Sequence, residues 1–249
     1  MRIPQLSAAD LRLLGRFDTP TVSNAIELFD VLPRTAGYMD ARIRACFPEM
    51  PPIVGYASTA TIRCAFPKAA EAVYNSLDEQ VAAFADIPGP PIVVFQDLDD
   101  PPAAATFGEI MCSTYQAFGA VGLITSGAAR DLDQVRRIGF SAFSNGVICS
   151  HGYSHIHSIH EGVRVGGIAV HPGDLIHADC NGVTTIPHEI ASEVAHVCAD
   201  YMAAESVILD FLRTEKPGVK GFSEARKESM RQIGELGKRV RAARKTSVA

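Results

Sequence analysis

A mixed α/β fold is predicted by three features of the 249-residue sequence. First, the short apolar runs Ile92 to Phe95 and Ala120 to Thr125 flank a helical stretch, Phe107 to Phe118. Strand, helix and strand in so short a span make a βαβ unit, and its crossover implies parallel strands. Second, Gly162 to Pro187 is rich in Gly, Val and Ile and carries the turn pairs Gly166-Gly167, Pro172-Gly173 and Asn181-Gly182. These mark antiparallel hairpins. Third, His188 to Leu212 has the pattern of a long amphipathic helix.

The remaining elements follow in chain order. Ser7-Ala8-Ala9-Asp10 is a capping-box-like start for a short helix through Arg16. Asp18 or Thr19 caps a second helix with Pro20 in its first position and Val22, Ala25, Ile26 and Phe29 as its apolar stripe. Gly55 to Cys64 reads as a strand. Pro67 to Ala85 reads as a helix, with Ala70, Val73, Leu77, Val81 and Phe84 on one face. Asp131 to Ile138 is a helical turn, and a short strand follows from Phe140. No linker precedes Pro217-Gly218, so residues 1–212 are expected to form one α/β domain and 213–249 a charged helical extension.

Composition narrows the class. With 47% hydrophobic and 20% charged residues the chain is globular, neither fibrous nor disordered. No apolar stretch approaches the ~18 residues of a membrane helix, and Met1 to Ala9 lacks the apolar core of a secretory signal. Cys46, Cys64, Cys112, Cys149, Cys180 and Cys198 are scattered without a C-x-x-C pair, so they read as reduced, buried thiols in a cytoplasmic protein. Residues 213–249 carry 11 Lys+Arg against 4 Asp+Glu, and the rest carries 12 against 24. An acidic body argues against nucleic acid as a partner. The basic tail reads as a solvated helix, because Met230, Ile233, Leu236 and Val240 recur at helical spacing.

In parallel α/β units, ligands collect beyond the carboxyl ends of the strands. One such end carries Gln96-Asp97-Leu98-Asp99-Asp100 and leads to Gly108-Glu109. The other carries Ser126-Gly127-Ala128-Ala129-Arg130-Asp131. A glycine-led turn, a guanidinium and a carboxylate are together suited to an anion and a hard divalent cation. The plainer alternative is an Arg–Asp pair capping a helix. Asp97, Asp99, Asp100 and Glu109 are further candidates for holding a metal through water. A rival reading starts from the histidines, all eight between His151 and His196. His155 and His157 share one strand face, and with Glu161, His177 and Asn181 they suggest a cupin-like zinc or iron site.

Five stretches resemble the RraA-like family, which includes class II pyruvate aldolases acting on 4-hydroxy-4-methyl-2-oxoglutarate and 4-carboxy-4-hydroxy-2-oxoadipate. They are Thr19-Pro-Thr-Val-Ser-Asn-Ala, Gly108-Glu109, Gly119 to Asp131, Gly166 to Asp179, and Gly182-Val183 leading to Ile186-Pro187. The resemblance implies a swivelling β/β/α sandwich assembled as trimers or hexamers, with sites at subunit interfaces. It implies a lyase that cleaves or decarboxylates a small 2-oxo acid, such as oxaloacetate, to pyruvate. Arg130 resembles the arginine that holds the pyruvyl group, and Asp131 the direct Mg²⁺ or Mn²⁺ ligand. Backbone N–H groups of the helix opened by Gly108 and Glu109, continuing through Ile110 and Met111, would hold the pyruvate carboxylate. Asp97, Glu109 and a helix acid of a neighbouring subunit, Glu205, would order metal-bound waters. Family members that regulate RNase E lack the acid after the arginine, so Asp131 favours the enzyme over a non-catalytic regulatory protein. Leu98-Asp99-Asp100-Pro101-Pro102 replaces the glycine run expected after Asp97, and Ser126 stands where many members have an acid.

Overall fold

The computed structural model describes residues 5–69, 74–214 and 216–247. The chain opens with two short helices. Ser7 caps α1 (Ala8–Leu14) by accepting the Asp10 N–H. Asp18 caps α2 (Thr19–Glu27), with Pro20 in the first turn. Then come β1 (Arg44–Ala45), β2 (Ile53–Arg63), α3 (Leu77–Ala82), β3 (Pro91–Asp97) and β4 (Ala105–Phe107). α4 (Glu109–Ala117), β5 (Gly122–Thr125), β6 (Ala128–Ala129), α5 (Leu132–Arg137) and β7 (Ser141–Ser144) follow. The last third holds β8 (His155–Ile159), β9 (Val163–Val165), β10 (Ile168–Val170), β11 (Leu175–Asp179), β12 (Gly182–Ile186), α6 (Ala191–Leu212) and α7 (Val219–Ser247).

The main sheet runs β1-β7-β5-β3-β2-β11-β12, with β8 also on β2. Its centre is the parallel run β2, β3, β5, β7, flanked by antiparallel strands. β2 is long enough to serve two partners on one edge: its first half pairs β11 and its second half pairs β8. Two small sheets complete the sandwich, the hairpin β9–β10 and the parallel pair β4–β6. Val93 and Phe95 pack with Phe107, Tyr115 and Phe140 on one side of the sheet, and Ile92, Val94 and Ile124 pack under the β9–β10 hairpin on the other. α1, α2 and α6 form a third core with Tyr56 and Leu175. The crossover β3–α4–β5 is parallel, as its sequence demands.

Several boundaries depart from the sequence reading. The helix expected over Pro67 to Ala85 shrinks to α3 and a short 3₁₀ turn, Ala83–Asp86. Ala70 and Val73 of its expected stripe lie outside the described residues. Asn75 instead bridges to Ile156, and its amide donates to His157 O at 3.0 Å, which holds the chain extended up to the Ser76 cap. Phe107 belongs to β4 and not to the following helix. Cys149 and Cys180 are exposed rather than buried, although all six thiols are unpaired. α7 folds back on α6, and Leu236 and Val240 bury into the α1–α2–α6 core, while Met230 stays exposed. No helix among the described residues is long and apolar enough to cross a membrane.

Candidate functional site

The parallel pairing of β4 with β6 brings together two chain segments that are distant in sequence. Phe107 lies opposite Ala129, and the Arg130 N–H donates to Phe107 O at 3.2 Å. Gly108 therefore leaves β4 beside Arg130 and Asp131 leaving β6. Asp131 sits in the left-handed region, φ 55°, a conformation uncommon for a residue with a side chain. This turns its carboxylate away from its own helix and onto the preceding one, α4: Oδ2 accepts the Glu109 N–H at 3.1 Å. Asp131 is thus the first residue before α5 but caps α4, adding a negative charge at the positive end of that helix. Arg130 Nε stands 3.7 Å from the same oxygen, and both side chains are about one-third exposed. Gly108 is required here, since a Cβ would run into Asp131 Oδ2 and Arg130 Nε.

The structure so brings together Gly108, Glu109, Arg130 and Asp131. The Glu109 N–H is engaged by Asp131, whereas those of Ile110 and Met111 fall in a first helical turn, where no helix carbonyl reaches them. Both known contacts of Asp131 fall on Oδ2, which leaves Oδ1 for an added ligand. Among the described residues no three His, Cys, Asp or Glu side chains converge on one point. Such a sparse donor set fits a hard cation such as Mg²⁺, which binds through one or two carboxylates and keeps several waters. It does not fit a cage for zinc or iron.

Among the described residues Asp97 and Glu205 make no hydrogen bond or ion pair with this cluster. Asp97, at the end of β3, is 93% buried by its 7% exposure, and its Oδ2 lies against Gly127 and Thr106 without a hydrogen-bond partner. Its Oδ1 accepts the Asp99 N–H at 2.9 Å. Burial is the main cause that lifts its pKa to about 6; the Asp99 N–H bond opposes it, while the Asp99 and Asp100 charges push the same way as burial. Glu205 lies on α6 beside Asp18, where burial first and then the Asp18 charge raise its pKa. Within one chain it does not meet Asp131.

The cupin-like set is not assembled. His155 pairs with Arg63 at one end of β2, and His177 pairs with Val54 near the other. Nine residues of strand separate those positions, roughly 30 Å at ~3.3 Å per residue. His177 is fully buried and bonds Thr19 Oγ1 and Leu14 O, while Asn181 bonds Asp179. His155 and His157 do lie close, with ring centroids 4.9 Å apart and Tyr74 packed edgewise on both.

A feature that the sequence did not reveal is a cavity of about 420 Å³ at the carboxyl ends of β3 and β5. Its walls include Gln96, Asp97, Ser126 and Asn145 together with Arg42 and Arg164, which come from a loop and from β9. Only the strand ends carried a signal, the rule that ligands collect there. The two arginines are placed by tertiary pairing.

A mixed sheet with a parallel centre and a guanidinium–carboxylate pair at an open helix terminus define an α/β protein with the kind of helix end at which anions are commonly held. The chain belongs to the RraA-like family (Aldolase/RraA), whose model matches residues 19–185. Protein DlpA of Legionella pneumophila is 28% identical over 92 residues, 36% of this chain and 15% of that protein. A Halalkalibacterium halodurans protein named "Putative 4-hydroxy-4-methyl-2-oxoglutarate aldolase" is 30% identical over 128 residues, 49% of this chain and 60% of that protein. The matches thus span less than two thirds of either relative. Among solved structures, an uncharacterized protein from Pseudomonas syringae pv. tomato superposes with TM-score 0.71 at 20% identity, covering 91% of this chain and 97% of that one. Streptomyces coelicolor RraAS2, described as an unusual member of the RNase ES inhibitor RraA protein family, gives 0.64 at 19%, covering 82% and 96%. These likenesses establish the shared fold.

Proposed function

We propose that the protein is a divalent-metal-dependent lyase that splits or decarboxylates a small 2-oxo acid and releases pyruvate. The observation that carries this reading is the Arg130–Asp131 pair, 3.7 Å apart at the open N-terminus of α4. The name of the Halalkalibacterium relative supports the substrate class. Asp131 would hold Mg²⁺ or Mn²⁺ through Oδ1, and the ion, when bound, supplies positive charge next to the reacting 2-oxo group.

Breaking the C–C bond sends its electron pair into the pyruvyl fragment, which becomes an enolate. Arg130 faces that fragment and stabilises the growing negative charge in a fixed geometry. The Ile110 and Met111 N–H groups take the carboxylate, since the Glu109 N–H is engaged. The Glu109 carboxylate, exposed at the same turn, accepts the proton from the substrate hydroxyl and returns one to the enolate carbon. With oxaloacetate the leaving fragment is CO₂ and the enolate is the same. Ile110 is 77% exposed on this turn, and Val147 is 62% exposed on the segment paired with Ala129. An apolar rim around a polar cluster suits cover by a neighbouring subunit. The family resemblance implies a trimer or hexamer with shared sites, in which Glu205 of the neighbour would add an acid.

The test is pyruvate release from oxaloacetate and from 4-carboxy-4-hydroxy-2-oxoadipate, with Mg²⁺ or Mn²⁺ and again with EDTA. Metal-dependent pyruvate that disappears in Arg130→Ala is the expected result. No pyruvate from either substrate would overturn the lyase reading and leave a regulatory protein on the same fold.

A further inference from the structure

We infer that the cavity at the ends of β3 and β5 is a second ligand site, one for a small hydroxycarboxylate anion, separate from the Arg130–Asp131 cluster. Neither Arg130 nor Asp131 lines it. At about 420 Å³ it falls within the ~300–1,000 Å³ range of small-molecule sites. The inference stands whether or not the lyase reading holds.

The cavity is preformed. Gln96 Oε1 accepts the Arg164 N–H at 2.8 Å, which ties the β9–β10 hairpin to the end of β3. Gly166 O accepts the Asp40 N–H at 2.8 Å, which ties the same hairpin to the loop that carries Arg42. Gly166 and Gly167 both have positive φ, 55° and 82°, so this tight turn is specific to glycine. A Cβ on Gly166 would also run into Met39.

The lining then selects the ligand. Arg42 is committed to Asp40 by two bonds of 2.8 and 3.0 Å. Arg164, exposed at the mouth, has no ion pair among the described residues and is the guanidinium available to a carboxylate. Ser126 Oγ accepts the Asp97 N–H at 2.9 Å, so its own proton can be donated to a ligand oxygen. The Gln96 amide nitrogen adds a second neutral donor, because its oxygen is occupied by Arg164. Asp100, at the rim, is an acceptor for a ligand hydroxyl. Asp97 and Asp99 also line the cavity, and each has an oxygen engaged within the chain: Asp97 Oδ1 accepts the Asp99 N–H, and Asp99 Oδ1 lies 3.3 Å from Arg63 Nε. Guanidinium, neutral donors and a carboxylate acceptor together match a molecule that bears both a carboxylate and a hydroxyl.

Isothermal titration with citrate tests this on the full chain, on Arg164→Ala and on Arg130→Ala. The expected result is saturable binding of one citrate per chain at this site, weakened at least tenfold in Arg164→Ala and changed less than twofold in Arg130→Ala. The unliganded melting temperature of Arg164→Ala should match the parent, because its backbone N–H keeps the Gln96 bond. Loss of binding in Arg130→Ala with retention in Arg164→Ala would place the anion at the α4 terminus and overturn the proposal. Equal affinity in all three proteins, or no saturable binding, would overturn it too.

Discussion

Asp97 ends β3 in the main sheet and Asp131 follows β6 in the small β4–β6 sheet, and their surroundings give them opposite characters. Asp97 is shut under Gly127 with one oxygen unpartnered, and burial lifts its pKa to about 6. Asp131 is one-third exposed, faces Arg130 and accepts a helix N–H. The first pays for ionising; the second keeps Oδ1 clear for an added ligand. The same side chain therefore serves different ends according to whether a cation and a helix terminus face it.

The largest effect that bears on this contrast is on turnover. A preorganised donor at a developing oxyanion is worth about 3–4 kcal/mol, so Arg130→Ala should lower kcat ~100-fold or more in a pyruvate-release assay. Retention of full turnover would remove Arg130 from the chemistry. Next in size is Gly127→Ala, whose Cβ would collide with Thr106 Oγ1 and Asp97 Oδ2. Overpacking of this kind should cost about 1–3 kcal/mol in urea unfolding.

An effect of similar size isolates the buried acid. Because the folded pKa of Asp97 is raised from 3.8 to about 6, its stability contribution is full below pH ~4 and is lost as pH rises through about 6. Asp97→Asn avoids that loss. It should be more stable than the parent by up to about 3 kcal/mol at pH 7.5, with most of that gain gone near pH 4. A gain that is equal at both pH values would mean that ionisation is not its source. The smallest effect belongs to an exposed control. Asp200 pairs with Arg239 across α6 and α7, both more than half exposed, so Arg239→Ala should cost less than about 1 kcal/mol.

Local signals in the sequence were enough for much of the fold. Asp18 followed by Pro20 located the start of α2, and the apolar run Ile92 to Phe95 located β3, because caps and apolar runs act within a few residues. Where the reading failed, the determinant was distant. The 67–85 helix was cut short by pairing of Asn75 with Ile156, although Ser76 and Glu79 already spelled a capping box. β4 and β6 are too short to show a period. The residues Arg130 and Asp131 were legible through their place in a family pattern. That Asp131 would cap α4 was not, since the bond joins positions 22 apart through an unusual φ. Arg42 and Arg164 reach the cavity only through tertiary pairing, so nothing in their own neighbourhoods announced them.

The contrast between the two acids is tested most directly by one side-by-side measurement: Mn²⁺-dependent pyruvate release from oxaloacetate by Asp131→Asn and by Asp97→Asn. The account predicts that the first loses the metal-dependent rate while the second keeps it within a few-fold of the parent. An Asp131→Asn protein that retains the full Mn²⁺-dependent rate would contradict it.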